Sequence, residues 1–120
     1  MTTDETIEQE IQAKGLTAPR ITPADIEANI ASEHYFTAGD GVFGREVAAC
    51  GTPVTSEPAL NLLTFCVLTL KNGFTVTGES ACASPANFNA EVGRKIARQN
   101  AINKVWPLMG YELRSKLATV

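Results

Sequence analysis

The segment LLTFCVLTLKNGFTVTGESAC constrains the fold more than any other stretch of this chain. Two runs rich in Thr, Val, Leu and Phe flank the dipeptide Asn72-Gly73. An Asn-Gly dipeptide between two strand-forming runs is the strongest short signal for a β-hairpin, because both central positions of the tightest turn require a positive φ. The sequence therefore predicts a β-hairpin within residues 61–83.

A two-residue loop sets the register of this hairpin and assigns its side chains to two faces. It pairs Lys71 with Phe74 and Thr69 with Val76, and further along it pairs Phe65 with Ser80. One face then carries Leu63, Phe65, Val67, Phe74 and Val76. The other carries Leu62, Cys66, Leu68 and Leu70. Because the first strand is apolar on both faces, we expect both to be covered, one by the C-terminal helix and one by a second protomer.

Residues 84–120 form a basic helical region. Ser84 is suited to cap the helix and Pro85 to occupy its first position. The helix should end at Pro107, which lacks an N–H donor, and be followed by one more short turn or helix. An apolar stripe at three-to-four spacing should face the sheet; it comprises Phe88, Val92, Ile96, Ile102 and Trp106.

The N-terminal half divides into an acidic helix with a linker (1–20) and a region of helix and loops (21–60). The first helix should run from Thr3 to Lys14 and stop at Gly15. A second should start after Thr22, with a capping box, and end near Ser32. A short extended piece follows, then a Gly-rich turn at 39–41 and a flexible loop over 44–59. We expect one α+β domain spanning 1–120, with a small antiparallel sheet that oligomerisation completes.

Charge is distributed unevenly along the chain. The formal net charge is -3, yet Lys and Arg outnumber Asp and Glu after residue 83. A basic segment in an acidic protein indicates either association between the two halves or a local anion site, whereas a nucleic-acid-binding domain is usually basic throughout. The N-terminus is polar and acidic, and no apolar run is long enough to span a membrane, so we expect a cytosolic protein.

The sequence offers little for catalysis or for metal binding. Its three cysteines are widely spaced, and His34 is the only histidine, so a Cys/His zinc site cannot be assembled. No nucleophile motif surrounds His34, and no phosphate-binding glycine loop occurs. We expect no catalytic residues, no metal and no cofactor.

The basic segment does contain the components of a nucleotide site. Guanidinium groups bind phosphate in a bidentate manner, an aromatic ring can stack on a base, and amides can pair with a purine edge. The candidates are Phe88, Arg94, Arg98, Asn100, Asn103 and Arg114. The alternative is simpler: a basic helical face is usually just solvated, and a phenylalanine usually belongs to the core.

Three stretches closely resemble a family of small tailed-phage proteins, the N4/Sf6 group of conserved early-region products. They are ITPADIEANIASEHYFTAGDGV, LLTFCVLTLKNGFTVTGESACASPANF and EVGRKIARQNAINKVWPLMGYELR. The resemblance extends from about Ile21 to Arg114. It implies a phage protein that acts in the host cytoplasm.

The hairpin followed by the ANF…GRKIA…N…GYELR helix also resembles the first-named type of the Thoeris anti-defence family. That resemblance implies a non-enzymatic sponge for glycocyclic ADP-ribose, with cyclic oligonucleotides held by some members, assembled from dimers into hexamers. It implies that Phe88 and Arg114 sandwich the adenine and that Arg94, Arg98 and Asn100 or Asn103 hold phosphate and base. His34 and Arg45 are the candidates for a second site.

The sequence thus favours a phage anti-defence protein that sequesters a cyclic nucleotide signal of the host without cleaving it. Its partners would be that small ligand and further copies of the chain, as a dimer or a hexamer, with no membrane and no nucleic acid. The alternative is a phage regulatory or interaction protein that binds a host macromolecule through the basic C-terminal helix.

Overall fold

The computed structural model describes residues 2–119 and has the expected α+β class. Its core is a three-stranded antiparallel sheet in the order β1-β2-β3. One long helix, α4, packs across the sheet. The elements are α1 (Thr3–Ala13), α2 (Pro23–Ala28), β1 (Ile30–Thr37), α3 (Ala38–Cys50), β2 (Leu63–Leu70), β3 (Thr75–Ala81) and α4 (Ala90–Ala118), with 3-10 turns at Pro58–Leu62 and Pro85–Asn87.

The predicted hairpin is present, but its register differs by one residue. The loop holds three residues, since Leu70 N–H donates to Phe74 O at 2.8 Å and Gly73 N–H donates to Leu70 O at 2.9 Å. Gly73 has a φ of 89°, whereas Asn72 does not adopt a positive φ. This geometry matches a turn closed by a left-handed glycine rather than the two-residue turn predicted from Asn72-Gly73.

The changed register moves side chains to the opposite face. Val76 lies opposite Leu68 instead of Thr69, and Phe65 pairs with Glu79. Side chains alternate between the two faces of the sheet along a strand, so a register shift of one residue moves every side chain of that strand to the opposite face. Val76 therefore belongs to the buried face with Cys66 and Leu68, and the predicted grouping of Val76 with Phe65 and Val67 is wrong.

The face of α4 that meets this sheet is built from small residues. Its buried positions are Gly93, Ala97, Ala101, Ile102 and Val105. Opposite them, Gly78 of β3 approaches so closely that a Cβ atom there would lie 2.9 Å from Ala101 Cα and nearer still to backbone atoms of the same helix. The predicted stripe of large residues is wrong in its first half, because Val92 and Ile96 are about half exposed.

Both ends predicted for the long helix also differ from the structure. Ser84 makes no side-chain cap, and Pro85 starts a separate 3-10 turn. The helix begins after Asn89, whose Oδ1 accepts a hydrogen bond from Val92 N–H at 3.0 Å. It then continues through Pro107 to Ala118. A proline removes only one hydrogen bond of the helical ladder, and the turns on either side maintain the helix here.

The N-terminal half contains more regular structure than its sequence predicts. The first helix and the capping box of the second helix are present as predicted, and α1 has a capping box of its own at Thr2 and Glu5. However, α2 ends at Ala28, and β1 begins at Ile30, well before the predicted end near Ser32. The glycines at 39–41 lie in the first turn of α3 and not in a loop. Thr37 and Asp40 form the capping box that starts this helix.

Residues 44–59, predicted to be a flexible loop, are partly helical, and the part after α3 is hydrogen-bonded to that helix. Residues up to Cys50 belong to α3, which ends at Gly51 with a φ of 82°. The carboxylate of Glu46 then accepts hydrogen bonds from Thr55, from its N–H at 3.0 Å and from its hydroxyl at 2.8 Å. These bonds lower the pKa of Glu46 and anchor the segment that leads to β2.

The sheet face opposite α4 remains largely open in the protomer. Phe36 and Phe65 lie side by side on it, with ring centroids 5.7 Å apart, and Val67 is half-buried. Coverage of this face by a second protomer remains a prediction. Among residues 2–119, no helix has both the length and the apolar character needed to cross a membrane.

Candidate functional site

A groove at the start of α3 brings together two of the predicted ligand residues. Phe88, from the short connection before α4, and Arg94, from the first turns of α4, both line it. Tyr35 and Thr37 of β1 form the opposite wall. The groove has a volume of about 100 Å³, which is well below the roughly 300–1,000 Å³ of a typical small-molecule site. The groove of one protomer is therefore too small to enclose a nucleotide by itself.

The groove contains one cationic and one anionic side chain, Arg94 and Asp40. Arg94 is exposed and forms no ion pair with the described residues. The groove lies at the N-terminus of α3, where backbone N–H groups carry partial positive charge. Asp40 also lines the groove, but its carboxylate accepts a hydrogen bond from Thr37 N–H at 2.9 Å. The guanidinium of Arg94 is thus the strongest unoccupied donor group of the groove.

Arg98, one turn further along α4, has a different environment. Its Nη1 and Nη2 donate to both carboxylate oxygens of Glu27 at 2.9 and 2.7 Å, and its Nε donates to Glu33 at 2.7 Å. The bidentate bond from Arg98 lowers the pKa of Glu27, while the two carboxylates raise the pKa of Arg98. Arg98 joins α4 to α2 and β1 and does not line the groove of Arg94.

The two candidate asparagines also make contacts within the protomer. Asn100 Nδ2 donates to the backbone carbonyl of Glu79 at 2.7 Å and so caps an outward-facing group of β3. Asn103 Oδ1 accepts a hydrogen bond from Gln99 at 2.9 Å. Neither residue lines the groove of Phe88 and Arg94.

Arg114 lies far from the groove along the same helix. Because α4 is continuous and rises about 1.5 Å per residue, Arg94 and Arg114 are separated by roughly 30 Å. Arg114 is exposed, and its neighbour Tyr111 is 77% exposed. Phe88 and Arg114 of one chain therefore cannot enclose one adenine, and such a sandwich needs Arg114 from another protomer.

The candidates for a second site occupy separate elements. His34 lies in β1 opposite Val67, on the open face of the sheet. Arg45 lies on the exposed side of α3. Neither residue lines any of the cavities described in this section, and their assignment to a second site remains a prediction.

The largest described cavity, of about 560 Å³, lies between α1, α2 and α4. Ile26, Ile102 and Trp106 provide its apolar surface. Its charged residues are mostly acidic and include Asp4, Glu5, Glu8 and Glu27 alongside Arg20 and Arg98. An excess of carboxylates disfavours a phosphate ligand, so this cavity is a poorer nucleotide site than the smaller groove.

Several residues that line the groove are not among the site residues predicted from the sequence. Tyr35, Thr37, Asp40 and Thr64 reach it from β1, α3 and β2. The stretch Thr37-Ala-Gly-Asp40 matches the capping-box pattern, so the start of α3 could have been recognised from it. Thr64 gave no such signal, because only packing against Gly93 places its buried hydroxyl there. In the described part of the chain, no group of three or more His, Cys, Asp and Glu is arranged to hold a metal.

The protein is a small α+β domain whose groove at the start of α3 is lined by the ring of Phe88 and the unpaired guanidinium of Arg94. The chain belongs to the Phage protein (N4 Gp49/phage Sf6 gene 66) family, whose model matches residues 21–117. That match includes the whole sheet and nearly all of α4, and it begins after α1. No curated protein matches the chain. No solved structure matches it either.

Proposed function

We propose that this phage protein binds and sequesters a cyclic nucleotide-derived immune signal of the host without cleaving it. The ligand would be glycocyclic ADP-ribose or a cyclic oligonucleotide. The observation that carries the proposal is the groove at the start of α3, where the ring of Phe88 and the unpaired guanidinium of Arg94 lie together. Membership of a phage protein family and the resemblance to Thoeris anti-defence proteins support it.

Sequestration requires only binding groups, and the groove contains suitable ones. Arg94 would meet phosphate oxygens, and the Phe88 ring would stack on a base. A protein that holds its ligand unchanged needs no stronger interaction with a transition state than with the ground state. The acidic surface elsewhere would discourage the binding of longer nucleic acids.

The pocket would be completed between protomers. Since Arg114 lies about 30 Å from Arg94 along α4, the Arg114 that encloses a base on Phe88 would come from a second chain. The small volume of the groove in one protomer supports the same view. Under this proposal the homo-oligomer is the functional form, and a monomer binds ligand weakly.

A thermal-shift panel tests the proposal first. The protein is melted with glycocyclic ADP-ribose, ordinary cyclic ADP-ribose, cyclic di- and trinucleotides, NAD and ATP. A ligand present at 100 times its Kd stabilises the folded state by about 2.7 kcal/mol, so one cyclic signal should raise Tm while ATP should not. The bound ligand should be recovered chemically intact after heat denaturation. Altered ligand would instead indicate a hydrolase, and a flat panel would contradict nucleotide binding.

Arg94→Ala should then weaken ligand binding by about 30-fold or more, because truncating one partner of a charge-assisted contact costs roughly 2–5 kcal/mol. Lys95→Ala is the matched control. It removes the same charge from the next residue, where Lys95 pairs only with the exposed Glu91. Isothermal titration of both variants measures the difference. Equal affinities would place the ligand elsewhere.

A mixing experiment tests whether the site is shared. Phe88→Ala and Arg114→Ala should each abolish binding in the homo-oligomer. Co-expression of the two variants yields mixed oligomers in which one pocket receives Phe88 from one chain and Arg114 from the other. If the pocket lies between protomers, mixed oligomers should recover binding at about half the sites of a mixed dimer. Failure to recover binding would contradict a pocket that combines Phe88 of one chain with Arg114 of another.

The exposed end of α4 favours the alternative function. Leu108, Tyr111 and Leu117 are exposed there, beside Arg114. A regulatory protein could use this surface to bind a host macromolecule. The two functions make different predictions. The alternative predicts that the protein has no affinity for nucleotides and retains one specific host protein on a column. The Tyr111→Ala variant should then fail to retain that host protein.

A further inference from the structure

The acidic helix α1 contacts the rest of the protein in an unusual way. None of its residues is buried, and Ile7 is 50% exposed. It nevertheless covers Trp106, the only tryptophan of the chain, together with Ile26 and Ile102. Between α1 and these residues lies the cavity of about 560 Å³. A helix that belongs to a core closes such a space, because protein interiors pack at nearly crystalline density.

Polar contacts hold α1 in place. The carboxylate of Asp4 accepts long hydrogen bonds, both of 3.3 Å, from Trp106 Nε1 and from Gln99 Nε2. Glu8 forms a bidentate pair with Arg20, which lies at the end of the linker. The Arg20 guanidinium lowers the pKa of Glu8 to about 2, so Glu8 stays ionised at ordinary pH. Asp4 thus supplies the only described hydrogen bonds from α1 to α4.

Two further observations separate α1 from the domain. The family match begins at residue 21, so α1 and the linker lie outside it. The hydrophobic core likewise contains no residue before Ile21. The linker offers a pivot, since Gly15 has a φ of 68° with open space around it, and Leu16 is 58% exposed.

We propose that α1 is a lid that opens as a unit about Gly15 while residues 21–119 stay folded. Opening separates Asp4 from Trp106 and Glu8 from Arg20. Opening exposes the groove between α2 and α4, whose surface consists of the Trp106 indole, Ile26 and Ile102, with Arg98 beside them. In the closed state α1 lies over this surface and restricts access to it. This inference is independent of the proposed function, because the groove of Phe88 and Arg94 lies elsewhere on the protein.

Hydrogen exchange of the full-length protein measures the opening directly. Local units open with free energies well below that of global unfolding. Amides of residues 6–13 should therefore be about 100-fold less protected than those of Leu68 and Val105, which lie in the core. Protection of α1 equal to that of the core, within about threefold, would show that α1 unfolds only with the whole protein and would overturn the proposal.

Asp4→Ala tests the latch, and Glu10→Ala is the matched control. Both remove one carboxylate from α1, but Glu10 pairs only with the exposed Lys14. Asp4→Ala should reduce the protection of residues 6–13 by about tenfold, shift Trp106 emission to the red and increase its quenching by acrylamide. Protection of β2 should not change. An equal effect of Glu10→Ala, or an equal loss of protection in β2, would contradict a lid latched by Asp4.

Discussion

Gly78→Ala is expected to lower the free energy of unfolding by about 3 kcal/mol or more, which is at the upper end of overpacking effects. A Cβ atom at this position would lie 2.9 Å from Ala101 Cα and closer still to Ala97 O and Ala101 N. These are backbone atoms of α4, so no side-chain rotation can relieve the clash. The helix would have to move away from β3, with loss of contact along the entire buried stripe. Urea denaturation followed by far-UV circular dichroism measures the change.

Gly44→Ala is the control for this substitution. Gly44 lies within α3, and a Cβ atom there would meet nothing within 4 Å. Alanine in a helix interior is favoured over glycine by about 0.5–1 kcal/mol, so this variant should be as stable as the parent or slightly more stable. If Gly78→Ala were tolerated equally well, the close approach of α4 to β3 would be wrong.

Leu68→Ala is expected to cost about 2–5 kcal/mol of stability, the range observed for large-to-small changes in protein cores. Leu68 is fully buried at the centre of β2, the middle strand, with Val76 opposite it and α4 above it. The space left by the side chain is enclosed on all sides, so the surroundings cannot collapse to fill it. The midpoint of urea unfolding should fall, while the slope of the transition stays nearly constant.

Leu117→Ala is the matched control for the core substitution. It removes the same atoms from the end of α4, where Leu117 is 43% exposed, and should change stability by less than about 0.5 kcal/mol. A larger effect at Leu117 than at Leu68 would mean that the end of α4 is buried in an oligomer. It would also mean that the core does not lie where the fold places it.

The sequence predicted the fold class through signals that are local. The Asn72-Gly73 turn, the capping box at Thr22 and the glycine after α1 each depend on residues within a few positions of one another. Structures predicted from such signals are present in the folded protein, because backbone geometry and cap hydrogen bonds require no distant partner. The capping box of α3 belongs to the same class and was misinterpreted as a turn because of its glycines.

The packing of α4 could not be predicted in the same way. Large apolar residues at helical spacing favoured a stripe through Val92 and Ile96, yet the helix buries Gly93, Ala97 and Ala101. Small residues form a core only when another backbone comes close enough, and Gly78 of β3 provides that approach. A contact between positions so far apart in sequence leaves no periodic signal.

The candidate site shows the same division. The sequence identified Phe88 and Arg94 by chemical type, and both line the groove at the start of α3. It could not distinguish Arg94 from Arg98, because the difference arises from Glu27 and Glu33, which reach Arg98 from other elements. Both arginines carry the same charge, and tertiary structure decides which of them remains unpaired.

The sequence by itself determined the α+β class, the hairpin, the starts of the first two helices and the chemical types in the basic segment, since these depend on neighbouring residues. The tertiary structure alone decided the hairpin register, the small-residue face of α4, the ion pairs of Arg98 with Glu27 and Glu33, and the distance of Arg114 from the groove. Each of these depends on groups brought together from distant parts of the chain, where packing and electrostatics outweigh local preference.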